Sequence, residues 1–254
     1  MKVVYCGYGR AALECLYQLM CNFDVKASNL IVFTYDLESN KEFIKILTDN
    51  NIRFSFDNVN TAYREIKLFQ PQYLFSVYYK SIIIKNILDI VDQKAINLHP
   101  SLLPKYRGAK SSVWALLNNE RKTGVSFHYM DNCIDEGKVI LQCKMNILDE
   151  DTAYSLYHKL ISLFVVNFRY AFELVISGYK GIAQDGESSY YSRELPFNGK
   201  IKFSEVNYKT AVQFVKAMYF PAYKGALFQM NNGQLVEINR TDDLKKYIKF
   251  MILS

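Results

Sequence analysis

Short apolar runs alternate with amphipathic stretches of helical period over the first hundred residues. Val3-Val4-Tyr5-Cys6 runs into Gly7-Tyr8-Gly9, and apolar residues then recur at helical spacing from Ala11 to Cys21. This predicts a strand, a tight turn and a helix. The unit recurs as Leu30-Ile31-Val32-Phe33 before a helix over Lys41 to Asp49, as Ile52-Arg53-Phe54 before a helix over Ala62 to Phe69, and as Tyr73 to Val77 before a helix over Ile82 to Ile90. Such alternation implies right-handed crossovers and a parallel sheet. Lys94-Ala95-Ile96 opens another apolar strand, and Ser112 to Leu117 reads as a short helix. Thr123 to Met130 and Lys138 to Ile147 alternate as two strands that answer each other. A long amphipathic helix follows from about Thr152 to Ser177, with Gly178 as its C-terminal cap.

Beyond that helix the pattern changes. Gln184-Asp185-Gly186-Glu187-Ser188-Ser189 has loop composition, a short helix is expected over Tyr208 to Ala217, and two strands flank Asn231-Asn232-Gly233, whose Asn-Gly is a hairpin signal. A hairpin of this size is marginal alone, so it must pack on the core or on a second subunit. The expected fold is α/β: a Rossmann-like, mostly parallel sheet with flanking helices in residues 1–190, plus a short C-terminal helix and β-hairpin extension in residues 191–254. Ligands of open sheets bind beyond the carboxyl ends of the strands, where Gly7, Tyr78 and His99 would gather.

Composition narrows the class. With 254 residues, half of them apolar, the chain can bury one sizeable core and a small appendage. No run approaches the ~20 apolar residues of a membrane helix. The N-terminus opens at once into a strand without a basic leader, so a soluble, cytoplasmic protein with no membrane partner is expected. The five cysteines form an odd set without CxxC pairing, which favours reduced thiols. The net charge of +6 is mild and interleaved, which argues against nucleic acid as partner and tolerates an anionic small substrate.

Candidate chemistry centres on Asn97-Leu98-His99-Pro100-Ser101-Leu102-Leu103-Pro104-Lys105-Tyr106-Arg107-Gly108, where a buried strand ends. Period-2 geometry aims Asn97 and His99 to one side of the sheet, and the two prolines hold His99 and Leu103 extended. The turn Asp131-Asn132-Cys133-Ile134-Asp135-Glu136-Gly137 concentrates acids, and folded toward the sheet's carboxyl edge it brings Asp135 to the imidazole. Amide, imidazole and carboxylate together make a proton-transfer site with an oxyanion stabiliser. His128 and His158 read as packing or surface residues, and no histidine is spaced to activate Cys133. A competing pattern, Gly7-Tyr8-Gly9-Arg10-Ala11-Ala12 with Asp36, partly fits a nicotinamide-dinucleotide turn. The same turn suits phosphate capture at a helix N-terminus, with Arg10 adding charge for a diphosphate.

Asn97-x-His99, Ser101-Leu102-Leu103-Pro104-x-Tyr106-Arg107-Gly108, Thr123-Gly124-Val125 and Asp135-x-Gly137 resemble, in order and spacing, the folate-dependent formyltransferases. That family includes methionyl-tRNA formyltransferase, glycinamide ribonucleotide transformylase and the sugar N-formyltransferases. The resemblance runs from Met1 to about Met145. His99-Pro100 and the short region after Tyr191 are similar to the sugar branch, whereas the tRNA enzymes carry a large C-terminal barrel. Met218 to Ala226 resembles the segment that opens the family's post-core region.

The resemblance implies transfer of a formyl group from N10-formyltetrahydrofolate, without a metal, to the amine of a nucleotide-linked amino sugar. The acceptor it favours is dTDP-4-amino-4,6-dideoxyglucose, in surface polysaccharide biosynthesis. Asn97, His99 and Asp135 would be catalytic. Tyr78, Tyr79, Ile83, Asp131 and Ile134 would face the pterin, largely through backbone. Arg10, Lys80 and Lys105 would meet the diphosphate, Tyr219, Phe220 or Tyr223 would stack on the base, and the extension would form a homodimer. Methionyl-tRNA formylation is the first alternative and a nicotinamide enzyme the second.

Overall fold

The computed structural model describes residues 1–221 and 223–252. Seven strands form the central sheet: β1 (Val3–Gly7), β2 (Leu30–Phe33), β3 (Arg53–Ser55), β4 (Tyr73–Val77), β5 (Ala95–His99), β7 (Lys122–Tyr129) and β8 (Val139–Asn146). Their order is β3-β2-β1-β4-β5-β7-β8. The pairings from β3 to β5 are parallel, and β5–β7 and β7–β8 are antiparallel. The sheet is therefore mostly parallel, as the strand-helix alternation predicts. The helices are α1 (Gly9–Asn22), α2 (Lys41–Asp49), α3 (Tyr63–Phe69), α4 (Lys85–Leu88), α5 (Ser111–Leu117), α6 (Ala153–Ile176) and α7 (Tyr208–Met218).

Because both faces of the parallel strands are covered, their residues are apolar on both sides. Val3, Tyr5, Phe75, Val77, Ile96 and Leu98 face α1 and α6 in the larger cluster, with Phe164, Phe168 and Phe172 of α6 among them. Val4, Cys6, Ile31, Phe33, Leu74 and Ala95 face the other way, against Val59, Ile66, Ile83 and Ile87. Phe75 meets the edge of Phe172 at 4.9 Å between ring centroids. A capping box in which Thr152 and Ser155 satisfy each other's backbone N–H fixes where α6 begins.

The helix expected over Ile82 to Ile90 is much shorter. Only Lys85–Leu88 is α-helical, followed by a 3-10 turn at Asp89–Val91. The run Ile82-Ile83-Ile84 is β-branched and resists helix. In addition, the Asn60 side chain donates to the Ile82 carbonyl at 2.8 Å and accepts from the Ile84 N–H at 3.1 Å, which holds this backbone extended.

The C-terminal region contains the expected helix and hairpin, the latter as β11 (Ala226–Gln229) paired antiparallel with β12 (Leu235–Ile238). A third strand, β10 (Lys200–Lys202), pairs parallel with β11, and a 3-10 segment spans Thr241–Phe250. Phe203 stacks between Phe228 at 4.6 Å and Tyr247 at 5.0 Å. Phe203, Phe214 and Phe228 belong to the same apolar cluster as Phe164 of α6, so the hairpin packs on the core. The expected division after residue 190 falls inside β9 (Tyr190–Tyr191), which pairs with β6 (Arg107–Gly108) beside the His99 loop. Phe203→Ala should lower stability by about 3–5 kcal/mol. Because the cluster is continuous, chemical denaturation followed by fluorescence and by circular dichroism should still show one coincident transition.

Candidate active site

β5 carries Asn97 and His99 to the carboxyl edge, and pairing with antiparallel β7 sets Asn97 opposite His128 and His99 opposite Ser126. Ile96 and Leu98 face α1 and α6, so Asn97 and His99 lie on the opposite face, as period-2 geometry requires. His128 is therefore their neighbour, not a packing residue in the middle of a strand. Its Nδ1 lies 2.8 Å from the Tyr129 carbonyl, which can only accept, so Nδ1 bears the hydrogen and Nε2 of the neutral ring is an acceptor. The Asn97 amide donates to that Nε2 at 3.1 Å and to Asp135 Oδ1 at 3.2 Å. The amide nitrogen thus has two internal partners, which orient it.

Asp135 lies at the end of the acidic turn between β7 and β8, in a left-handed conformation with φ of 56°. Its Oδ2 accepts the Gly108 N–H at 2.8 Å and lies 3.3 Å from His99 Nδ1, while Oδ1 lies 3.4 Å from His128 Nε2. The side chain is 10 % exposed. Burial pushes its pKa up, but His99, His128 and the Gly108 N–H outweigh that and hold the carboxyl well below the usual range. His99 shows the opposite balance: burial lowers its pKa and the Asp135 carboxylate opposes this only in part. His99 Nε2 donates to the Tyr106 carbonyl at 2.7 Å, so the neutral ring turns its Nδ1 lone pair toward Asp135 Oδ2. A proton arriving at Nδ1 would convert that contact into a charge-assisted hydrogen bond. The pair is built to receive one proton.

The loop after His99 is held by its own backbone and by a later segment. Ser126 Oγ donates to the Ser101 carbonyl at 2.7 Å and accepts the Leu103 N–H at 3.1 Å. Gly108 has φ of +86°, and a Cβ there would lie 2.2 Å from the Tyr191 carbonyl oxygen, so only glycine lets β6 approach β9 and still present its N–H to Asp135. Tyr106, Tyr191 and Trp114 stack in sequence, at 5.6 and 4.2 Å. Lys105 pairs with Glu187 at 3.6 Å beside a cavity of about 170 Å³, lined also by Tyr106, Glu120 and Tyr191. It is not hydrogen-bonded to the Asn97–His99–Asp135 group.

The other sequence candidates divide between the two faces. The Tyr78 ring packs against Tyr157 and Phe164 of α6, its hydroxyl without a partner among the described residues, so only its backbone is left to the loop. Tyr79 lies on the opposite face, stacked on Tyr35 at 5.1 Å, and Ile83 is buried in the same cluster. Asp131 is exposed and accepts the Cys133 N–H, and Ile134 is 40 % exposed. Lys80 lies over the Tyr8 ring at 3.9 Å. Arg10, loosely paired with Glu14 at 3.7 Å, lowers the pKa of His158 on α6 after the larger effect of burial. Phe220 meets Tyr154 and Tyr157 of α6 at 5.3 and 5.5 Å and Tyr223 at 5.7 Å, while Tyr219 gives its carbonyl to the Tyr154 N–H. In the turn after β1, the Gly9 N–H is already taken by Asn40 Oδ1 at 2.9 Å.

A family profile described as "Formyl transferase" matches residues 35–163. The chain is 34% identical over 235 residues, 91% of its length and 89% of the relative's, to the GDP-perosamine N-formyltransferase of Brucella melitensis. Among solved structures, WlaRD, a sugar 3-N-formyltransferase determined with dTDP and 5-N-formyl-THF, superposes with a TM-score of 0.76 at 26% identity, covering 93% of this chain and 85% of that one. The N-formyltransferase of Helicobacter canadensis, in complex with folinic acid and dTDP-3-aminofucose, gives the same score and identity over 93% and 87%. This chain belongs to the formyl transferase family. It is an enzyme of that family, and the nicotinamide alternative is set aside.

Sequence reasoning missed His128 and Gln184, whose amide donates to the carbonyls of Asp135 and Gly137. The signal for His128 lay in register: once β7 is antiparallel to β5, position 128 faces Asn97. Asp135 and His99, the shifted groups of this site, contribute to the acid response. With its folded pKa depressed, Asp135 contributes stability that is present above the unfolded value of about 3.9 and is lost as pH falls through the folded one. His99, also depressed, makes unfolding easier as pH falls below about 6.5, because the unfolded chain binds that proton first. Thermal melts from pH 8 to 3 should therefore show stability falling in two stages, and His99→Gln should reduce the first, leaving the part that His158 contributes.

Proposed function

We propose that this protein transfers the formyl group of N10-formyltetrahydrofolate to the amine of a nucleotide-linked amino sugar. The observation that carries the reading is the buried Asp135 carboxylate, bonded to Asn97 and in contact with His99 and His128 in a chain of the formyl transferase family. The neutral amine attacks the formyl carbon, the bond from that carbon to the folate nitrogen breaks, and the leaving nitrogen takes a proton. The amine must lose one proton, and His99 Nδ1 backed by Asp135 receives it directly or through water. Asn97 stabilises the developing oxyanion by turning one N–H away from its internal partners.

The pterin suits the loops at residues 78–84 and 131–135. Both offer backbone at the sheet's edge, with Ile82 and Ile134 exposed to cover an apolar ring. Arg10 and Lys80 serve the diphosphate, and the Phe220 cluster stacks on the base. From the end of β1 to the end of β5 is two strand spacings, about 10 Å, which a sugar diphosphate can bridge. The sequence favours dTDP-4-amino-4,6-dideoxyglucose, and the Brucella relative's name adds GDP-linked sugars to the acceptors worth testing. The product would enter surface polysaccharide assembly. Five free thiols fit a reducing cytoplasm, and among the described residues no helix is long and apolar enough to cross a membrane. Exposed Phe197 and Leu235 in residues 191–254 support a homodimer through the extension.

Release of tetrahydrofolate should occur with a dTDP- or GDP-linked amino sugar and fall on the order of 10²-fold in Asn97→Ala, His99→Asn and Asp135→Asn. Silence with every sugar but formylation of methionyl-tRNA would replace the acceptor. Full activity in any of the three variants would remove that residue from the mechanism.

A further inference from the structure

Asp135 is held at both ends. Its carboxylate is fixed by Gly108, and its backbone is fixed by a side chain 49 positions later. Gln184 Nε2 donates to the carbonyl of Asp135 at 2.7 Å and to that of Gly137 at 2.9 Å, spending both amide hydrogens on the acidic turn. Gln184 Oε1 accepts from Arg107 Nη2 at 2.8 Å and Nε at 3.2 Å, and Arg107 Nη1 pairs with Glu136 at 2.9 Å. Arg107 immediately precedes Gly108. The contacts therefore close a ring: Asp135 carboxylate, Gly108 N–H, Arg107, Gln184, Asp135 carbonyl.

The segment carrying Gln184 is anchored along its length. Ile182 exchanges backbone hydrogen bonds of 2.8 Å with Val139, just past the acidic turn. Ser189 accepts the Tyr106 N–H on Oγ and the Arg107 N–H on its carbonyl, both at 2.9 Å. The Tyr191 carbonyl accepts the Ala109 N–H at 2.9 Å. Residues 182–191 thus strap the acidic turn to the His99 loop, and they hold a non-glycine residue in the left-handed region that needs outside support to persist.

We propose that Gln184 is a positioning residue for formyl transfer, acting through Arg107 to hold Asp135 against His99 and Asn97. Its side-chain hydrogen bonds go to Arg107, Asp135 and Gly137. This rests on the reading that Asp135 and His99 carry the proton transfer. The titratable and charged groups around this carboxylate are His99 from β5, His128 from β7, Arg107 from β6 and Glu136 from the turn itself.

The test uses the full chain with Gln184→Ala and Gln184→Glu. The second keeps an acceptor for Arg107 but removes both N–H donors, so it also serves if the alanine variant does not fold. In each, kcat should fall about 10- to 100-fold while the acceptor KM stays within about twofold, since a displacement near 1 Å at the reacting groups has that effect. The His99 ring titration, followed by NMR without any substrate, should move from its wild-type value because the carboxylate no longer sits in place. A kcat within about twofold of wild type overturns the proposal. So does a loss of kcat with the His99 titration unmoved, which would mark Gln184 as a mere loop tie. If no acceptor supports turnover in the wild type, the acceptor assignment fails, and the substrate-free titration still decides the positioning role.

Discussion

One buried carboxylate sets the terms for the surrounding loops. Burial works against an ionised Asp135, and the Asn97 amide and Gly108 N–H that donate to its two oxygens, with the His99 and His128 rings beside them, hold its pKa down. Those partners come from β5, β6 and β7. The chain therefore has to bring a strand end, the loop after it and an antiparallel neighbour to one point, and Gly108 and Gly137 mark close approaches there. A Cβ on Gly137 would lie 1.8 Å from the Tyr129 carbonyl oxygen.

The sheet supplies the rigidity this convergence needs. Its parallel strands are buried on both faces, so their backbone has little freedom to shift, and polar side chains collect where the strands end. The switch to antiparallel pairing at β7 has a chemical consequence. A parallel neighbour would require a crossover, whereas β7 runs back beside β5 and lays His128 and Ser126 against Asn97 and His99. His128 orients the amide and Ser126 pins the loop.

The candidate residues divide between the two faces of the sheet. Asn97, His99 and Asp135 lie on the face away from α6, whereas Phe220, Tyr223, Tyr154, Tyr157 and Arg10 gather where α6 and α1 begin. An acceptor that reached both would cross the carboxyl edge between β1 and β5. A long, segmented ligand with a charged middle and a flat end suits that path better than a compact one.

The alternation of apolar runs with helical segments determined the sheet, because a parallel strand buried on both faces must be apolar throughout and its crossover helix must be amphipathic. Asn97, His99 and Asp135 were legible for a related reason: strand period, proline and an acidic turn are local properties. The helix expected over Ile82 to Ile90 was not, since Asn60 competes for that backbone from outside the segment. Tertiary structure alone decided the contacts of His128 and Gln184. The first depends on the register of a strand pair, and the second on a contact between residues 49 apart in sequence. Register and long-range hydrogen bonds are set by how the folded elements meet, which no stretch of a single sequence records.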